Sequence, residues 1–207
     1  MELKGKIINF LGDSITQGVG ATVPEERYIS IVERETGATC RNYGVGGTSF
    51  VEMSWSEGRV DFCHRAKQME KDADIVVIFG GTNDFGHCEP IGEPTDRGEN
   101  TFYGATHTLF RYIVENYPTA HIVVLTPLHR FGEKLFRVPG APLAEFRRVI
   151  LEVAEYYSLP IIDLWAESGL QPHVDLVKET YMSDGLHPDP SGHRIIAEKI
   201  IKYLRAL

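Results

Sequence analysis

Runs of strand-forming residues alternate with amphipathic helical patterns along the chain, and that alternation limits the fold more than any other feature. The runs lie at Lys6 to Leu11, Thr39 to Tyr43, Asp74 to Phe79, His121 to Thr126 and Pro160 to Leu164. Three of them are nearly continuous apolar stretches, the pattern of strands buried on both faces of a parallel sheet. Between them, Pro24 suits a first helical position, followed by Tyr28, Ile31 and Val32 and closed by Gly37. Thr106, Leu109, Phe110, Ile113 and Tyr117 keep one helical face apolar, and Pro118 follows. A further helix is predicted from near Pro142, with Leu143, Phe146, Ile150, Val153, Ala154 and Tyr157 on one stripe. The last carries Ile196, Ile200, Tyr203 and Leu204, and a less clean stripe predicts a helix over Val60 to Lys71.

Parallel strands joined by helices of this length need right-handed crossovers. The expected fold is therefore α/β, a three-layer α/β/α sandwich around a five-stranded parallel sheet in the flavodoxin-like order 2-1-3-4-5. The ligand crevice of such a sheet lies beyond the carboxyl ends of its strands, near the point where the winding direction reverses. Ser14, Gly47 and Asn83 each follow one of the first three strands, so this topology brings them to one edge. The two longest irregular stretches, Phe85 to Asn100 and Pro127 to Gly140, leave the sheet at that edge and are read as binding loops or as surface excursions.

A length of 207 residues suits one core and is short for two, which predicts a single domain over 1–207. Apolar residues at 43% and charged residues at 24% place the chain among ordinary globular proteins. Its formal charge of -8 argues against nucleic acid or an anionic membrane surface as the main partner. No window approaches the apolar length of a membrane span, and the start lacks the pattern of a secretory signal. Cys40, Cys63 and Cys88 suit reduced thiols better than a disulfide framework, so a cytoplasmic location is expected. Cys63-His64 and His87-Cys88 are adjacent pairs without the spacing of a metal site, and no metal or cofactor is expected.

Gly12-Asp13-Ser14-Ile15 follows the first strand and places a serine hydroxyl on the turn that leaves it. A serine becomes a useful nucleophile only when a base, an orienting acid and oxyanion donors converge on it. Near the other end, Ser183-Asp184-Gly185-Leu186-His187-Pro188 sets an aspartate three residues before a histidine. Asp184 there can accept from one ring nitrogen of His187 and leave the other to take the serine proton. Asn83, in Gly81-Thr82-Asn83-Asp84, offers a side-chain amide, and Gly47, ending Asn42-Tyr43-Gly44-Val45-Gly46-Gly47, offers an uncrowded backbone N–H. Each motif alone also fits a plainer role. Ser14 fits a helix cap, Asp184, Asn83 and Gly47 fit turns, and His187 fits a surface imidazole.

In this order the motifs resemble the SGNH hydrolase family, also called GDSL esterases and lipases, over nearly the whole chain. The resemblance implies Ser14 as nucleophile, Asp184 and His187 as acid and base, and Ser14, Gly47 and Asn83 as the oxyanion hole. Gly44 competes with Gly47 for the second motif, and Ile15 stands where the family name has Leu. It also implies hydrolysis of a small-molecule acyl ester through an acyl-enzyme, without metal or organic cofactor. The absence of a Gly-x-Ser-x-Gly elbow separates the chain from the α/β-hydrolases.

Acetylated carbohydrate is slightly favoured over lipid, with thioester a further alternative, because no apolar lid helix is evident and the loop near the site carries Arg130, Lys134 and Arg137; these three and His129 could contact a polar leaving group. Solvated charge is their plainer reading. Asp13 and Asp84 are read as turn residues and His193 as a cap-region side chain. A phosphate-responsive module using Asp84, or a non-catalytic binding protein on the same fold, is the alternative of a different class.

Overall fold

A computed structural model of the protein describes residues 1–53 and 61–207. Its sheet consists of β1 (Ile7–Gly12), β2 (Thr39–Gly44), β3 (Ile75–Phe79), β4 (His121–Leu125) and β5 (Ile161–Ile162). All neighbouring pairs are parallel and their order is β2-β1-β3-β4-β5, the order expected from the sequence. Gly12 stands opposite Gly44 on one side and Phe79 on the other, so three strands end at one level. The chain leaves them there through Ser14, Gly47 and Asn83.

Alternation of side chains divides the core into two. Leu11, Val76, Ile78 and Val124 pack on one side with α3 (Phe62–Gln68), α5 (Phe102–Asn116) and α6 (Leu143–Tyr156). Ile8, Phe10, Val77, Phe79 and Leu125 pack on the other with α2 (Tyr28–Thr36) and α9 (Pro190–Ala206). Strand residues of both sets are buried, which explains why the central strands read as continuous apolar runs. Phe102 meets Phe146 edge to face at 4.8 Å between ring centroids, joining α5 to α6.

Several boundaries move from the sequence expectation for local reasons. Pro24 opens only a 3₁₀ turn, Pro24–Glu26, and α2 starts at Tyr28 because the Arg27 backbone is extended. Strand β5 stops after two residues, since Asp163 takes up side-chain bonds from Thr126 and Arg147 and caps α7 (Leu164–Glu167). Of the helix expected over Val60 to Lys71, Val60 lies outside the described residues and α3 closes at Gln68. Helix α5 starts at Phe102, a turn before Thr106, where Thr101 accepts the Gly104 N–H. The sequence reading also lacked α1 (Ser14–Gln17), α4 (Thr82–His87) and α8 (Asp175–Tyr181), each too short to show a periodic stripe. Among the described residues no helix is long and apolar enough to cross a membrane.

Candidate active site

Ser14 reaches the crevice because the chain turns from β1 into α1 within two residues. A side chain at Gly12 would put its Cβ 1.8 Å from Thr16 Oγ1, so only glycine allows this return. Asp13 caps α1 by accepting the Ile15 N–H at 3.0 Å, leaving Ser14 as the first helical residue. The plain reading of Ser14 as a cap therefore fails, and the turn reading of Asp13 holds. Burial pushes the Asp13 carboxyl up to about 6, against the Ile15 hydrogen bond and the nearby His187, Arg65 and Arg130 charges.

Ser14 Oγ lies 3.0 Å from His187 Nε2. On the far side of the ring, Nδ1 lies 2.7 Å from Asp184 Oδ2. The other Asp184 oxygen accepts the backbone N–H groups of Leu186 and His187, each at 2.7 Å. Partial burial works against the charge, but the hydrogen bonds from His187 and Leu186 prevail and hold the Asp184 carboxyl below its ordinary value. The acid thus stays ionised beside the imidazole. Gly185 makes the turn between them at φ +76°, where the Phe131 ring fills the space a side chain would need. The Phe131 N–H donates to Gly185 O at 2.8 Å, which fastens this loop to the 127–140 segment.

The second wall comes from the segment after β2. Asn42 Oδ1 takes the Gly44 N–H and Gln17 Oε1 takes the Gly46 N–H, each at 2.8 Å. Gly44 is therefore occupied with its own turn, whereas Gly47, at φ +75°, lines the cavity. Asn83 stands on the first turn of α4 and donates one amide hydrogen to Thr48 O at 3.0 Å, which orients the side chain and leaves its second hydrogen. Ser14, Gly46, Gly47, Asn83, Leu186 and His187 surround a cavity of about 530 Å³. The structure thus brings all five sequence-selected residues, Ser14, Gly47, Asn83, Asp184 and His187, to one place.

Other selected residues go elsewhere. Among the described residues lining this cavity, His129, Arg130, Lys134 and Arg137 are all absent. His129 Nδ1 pairs with Glu133 Oε2 at 3.0 Å, and the Arg130 guanidinium lies over Phe85 while donating to Thr82 O at 3.2 Å. Lys134 and Arg137 are exposed. His193 is fully buried, accepting the Tyr28 N–H at 3.3 Å and donating to Val19 O at 3.2 Å, so it joins α9 to α2. Asp84 is fully buried and accepts two backbone N–H groups, which closes it to a phosphoryl donor and disfavours the phosphate-responsive module. Asp61, Cys63 and Glu99 place ligand-type atoms within 4.8 Å of one another, but two of them already have partners: Asp61 accepts the His64 N–H at 3.0 Å and pairs with its ring at 2.8 Å, and the Cys63 thiol donates to Ala105 O at 3.5 Å. Sequence reasoning missed Gln17, Thr48 and Arg65, whose Nη2 donates to Thr48 Oγ1 at 2.8 Å. Only their long-range contacts reveal them.

Comparison with known proteins bears on the family and the fold. Residues 10–195 match the model of the GDSL-like Lipase/Acylhydrolase family. A GDSL lipase of Mycobacterium tuberculosis is 27% identical over 136 residues, which cover 65% of this chain and 52% of that protein. The chain thus spans about half the length of this curated relative. A crystal structure of a Lactobacillus plantarum protein superposes with a TM-score of 0.87 at 28% identity, covering 98% of each chain. Another solved structure reaches 0.91 at 32% identity over 100% of this chain and 99% of its own. From the motif order, the parallel sheet and the family match over most of its length, the chain belongs to the GDSL-like lipase/acylhydrolase, or SGNH hydrolase, family.

Proposed function

We propose that the protein is a serine-dependent esterase that hydrolyses small acyl esters through an acyl-enzyme. The observation that carries this reading is the Ser14 to His187 to Asp184 relay, with separations of 3.0 and 2.7 Å. In the proposed mechanism Ser14 Oγ attacks the acyl carbon as its proton passes to His187 Nε2. Asp184 accepts from Nδ1, fixes the tautomer and stabilises the imidazolium. The oxyanion of the tetrahedral intermediate accepts the N–H groups of Ser14 and Gly47 and the Asn83 amide. Collapse breaks the ester C–O bond, and the leaving alkoxide takes the proton from His187. A water molecule then attacks the acyl-enzyme, His187 again removes the proton, and the acid leaves as Ser14 Oγ is reprotonated.

A small acyl group is favoured by the site. Val19, Val45 and Leu186 are the apolar side chains in a cavity otherwise lined by Ser14, Gln17, Gly46, Gly47, Asn83 and His187. This mixed lining favours an acetyl group on a polar alcohol, such as an acetylated carbohydrate, over a long acyl chain. His129, Arg130, Lys134 and Arg137 add no support, because none of them lines the cavity. Purified protein assayed on acetyl, butyryl and long-chain esters and on acetylated sugars, with Ser14→Ala as control, tests the assignment. Turnover confined to long acyl chains would overturn the carbohydrate preference, and equal turnover by the serine variant would overturn the mechanism.

A further inference from the structure

The reaction leaves one buried ionisable group beside the site without a task. Asp84 follows Asn83 directly, has no exposed surface, and lies on the first turn of α4. Its Oδ2 accepts the Phe50 N–H at 3.1 Å and its Oδ1 accepts the Val51 N–H at 3.0 Å. Burying a carboxyl group is costly unless donors compensate it, and here burial pushes it up to about 7 despite both hydrogen bonds. A turn residue on the surface would meet no such penalty.

The strand order explains what this carboxyl group holds. Because β1 lies between β2 and β3, the segment leaving β2 must pass over the end of β1, where Ser14 sits, to reach α4. Asn83 grips that segment at Thr48 O and Asp84 grips it at the next two N–H groups but one, those of residues 50 and 51. Arg65 and His87 secure the intervening side chains, through Thr48 Oγ1 at 2.8 Å and Ser49 Oγ at 2.8 Å. Gly47 is the residue immediately before this clamped stretch. An oxyanion hole works best when its donors are fixed before charge develops, and these bonds fix the stretch that follows Gly47.

We infer that Asp84 is a positioning residue for the oxyanion hole: by clamping residues 50 and 51 to α4 it fixes the Gly47 N–H relative to Asn83 and Ser14. The inference rests on the proposed esterase reading. Asparagine at 84 accepts one of the two N–H groups and turns its own donor toward the other, so Asp84→Asn loosens the clamp with little change of volume.

The test combines kinetics on a short acyl ester, affinity for a boronic acid that forms a tetrahedral adduct on serine, and amide hydrogen exchange. For folded Asp84→Asn, kcat falls by about tenfold to a hundredfold, somewhat less than for loss of a whole donor. KM stays within about twofold, as expected when only transition-state stabilisation is lost. Boronate affinity falls by a factor similar to kcat. A residue with a merely structural part would lower the folded fraction and leave boronate affinity per folded molecule unchanged; that result, or an unchanged kcat, overturns the inference. Should the variant not fold, the unsubstituted enzyme decides. Its Phe50 and Val51 amides must be protected before any inhibitor binds, and rapid exchange there overturns the clamp. Equal turnover by Ser14→Ala would instead strike the esterase reading, and it would leave the amide protection untouched.

Discussion

The Ser14 hydroxyl lies 3.0 Å from Nε2 of His187, although 173 residues separate the two along the chain. Ser14 lines the cavity, and its backbone is fixed in the first turn of α1. Ser14→Ala is expected to reduce ester turnover by about 10⁴-fold or more, leaving only donor and binding effects. Circular dichroism and thermal unfolding should match the unsubstituted protein. Turnover within tenfold of normal would remove Ser14 as nucleophile.

Asn83→Ala removes one side-chain donor and also frees Thr48 O from its 3.0 Å bond. Its kcat is expected to fall by roughly a hundredfold to a thousandfold, the usual consequence of losing an oxyanion donor. Steady-state kinetics with an activated acetyl ester checks this; a change of less than about threefold would mean that Asn83 only holds the turn.

Asp184→Asn reverses the polarity at His187 Nδ1 and favours the tautomer with its proton on the wrong nitrogen. The side chain of Asp184 is 54% exposed, which weakens its electrostatic share through solvent screening. The expected loss of kcat lies between about 10² and 10⁴. A pH–rate profile with unchanged height would show that another group orients the ring.

Asp13 gives a pH prediction with a definite sign. Its folded carboxyl is raised from 3.8 to about 6, so the folded state holds this proton more tightly than the unfolded chain. The stability it contributes is complete below about 3.8 and is lost as pH rises to about 6. The difference in Tm between the protein and Asp13→Asn should therefore shift against the unsubstituted protein from pH 4 to 7. A difference independent of pH would contradict the raised value.

His193 should matter to stability and hardly at all to chemistry. His193→Ala leaves the buried Tyr28 N–H unpaired, a cost of about 1–3 kcal/mol, while the Val19 carbonyl belongs to an exposed residue and can bond water instead. Urea unfolding should show this loss at kcat within about threefold, since the ring serves packing and not proton transfer. A kcat loss comparable to that of Ser14→Ala would return His193 to the list of bases.

Much of the fold was legible because it follows from local periodicity. Ile75 to Phe79 reads as a buried strand and is one, and the stripe from Leu143 to Ala154 reads as a helix and is one. What escaped was short. Thr82–His87 has too few residues for a stripe, and its start is set by Gly81 at φ +99°, a backbone state that composition suggests as a turn. The early end of β5 depends on the bonds Asp163 makes to Thr126 and Arg147, which neighbouring residues do not announce.

The site divides in the same way. Residue type and order alone determined which groups were competent: a serine after a strand, an aspartate three before a histidine, a glycine and an asparagine after two further strands. Only the tertiary structure decided which of them meet. It drew Ser14, Gly47, Asn83 and His187 around one cavity, sent Arg130 against Phe85, and buried Asp84 under Phe50 and Val51. Secondary-structure preference acts over a few residues and is written in the local pattern. Contacts between distant loops arise from how strands stack and crossovers pack, and these become definite only when the whole core has formed.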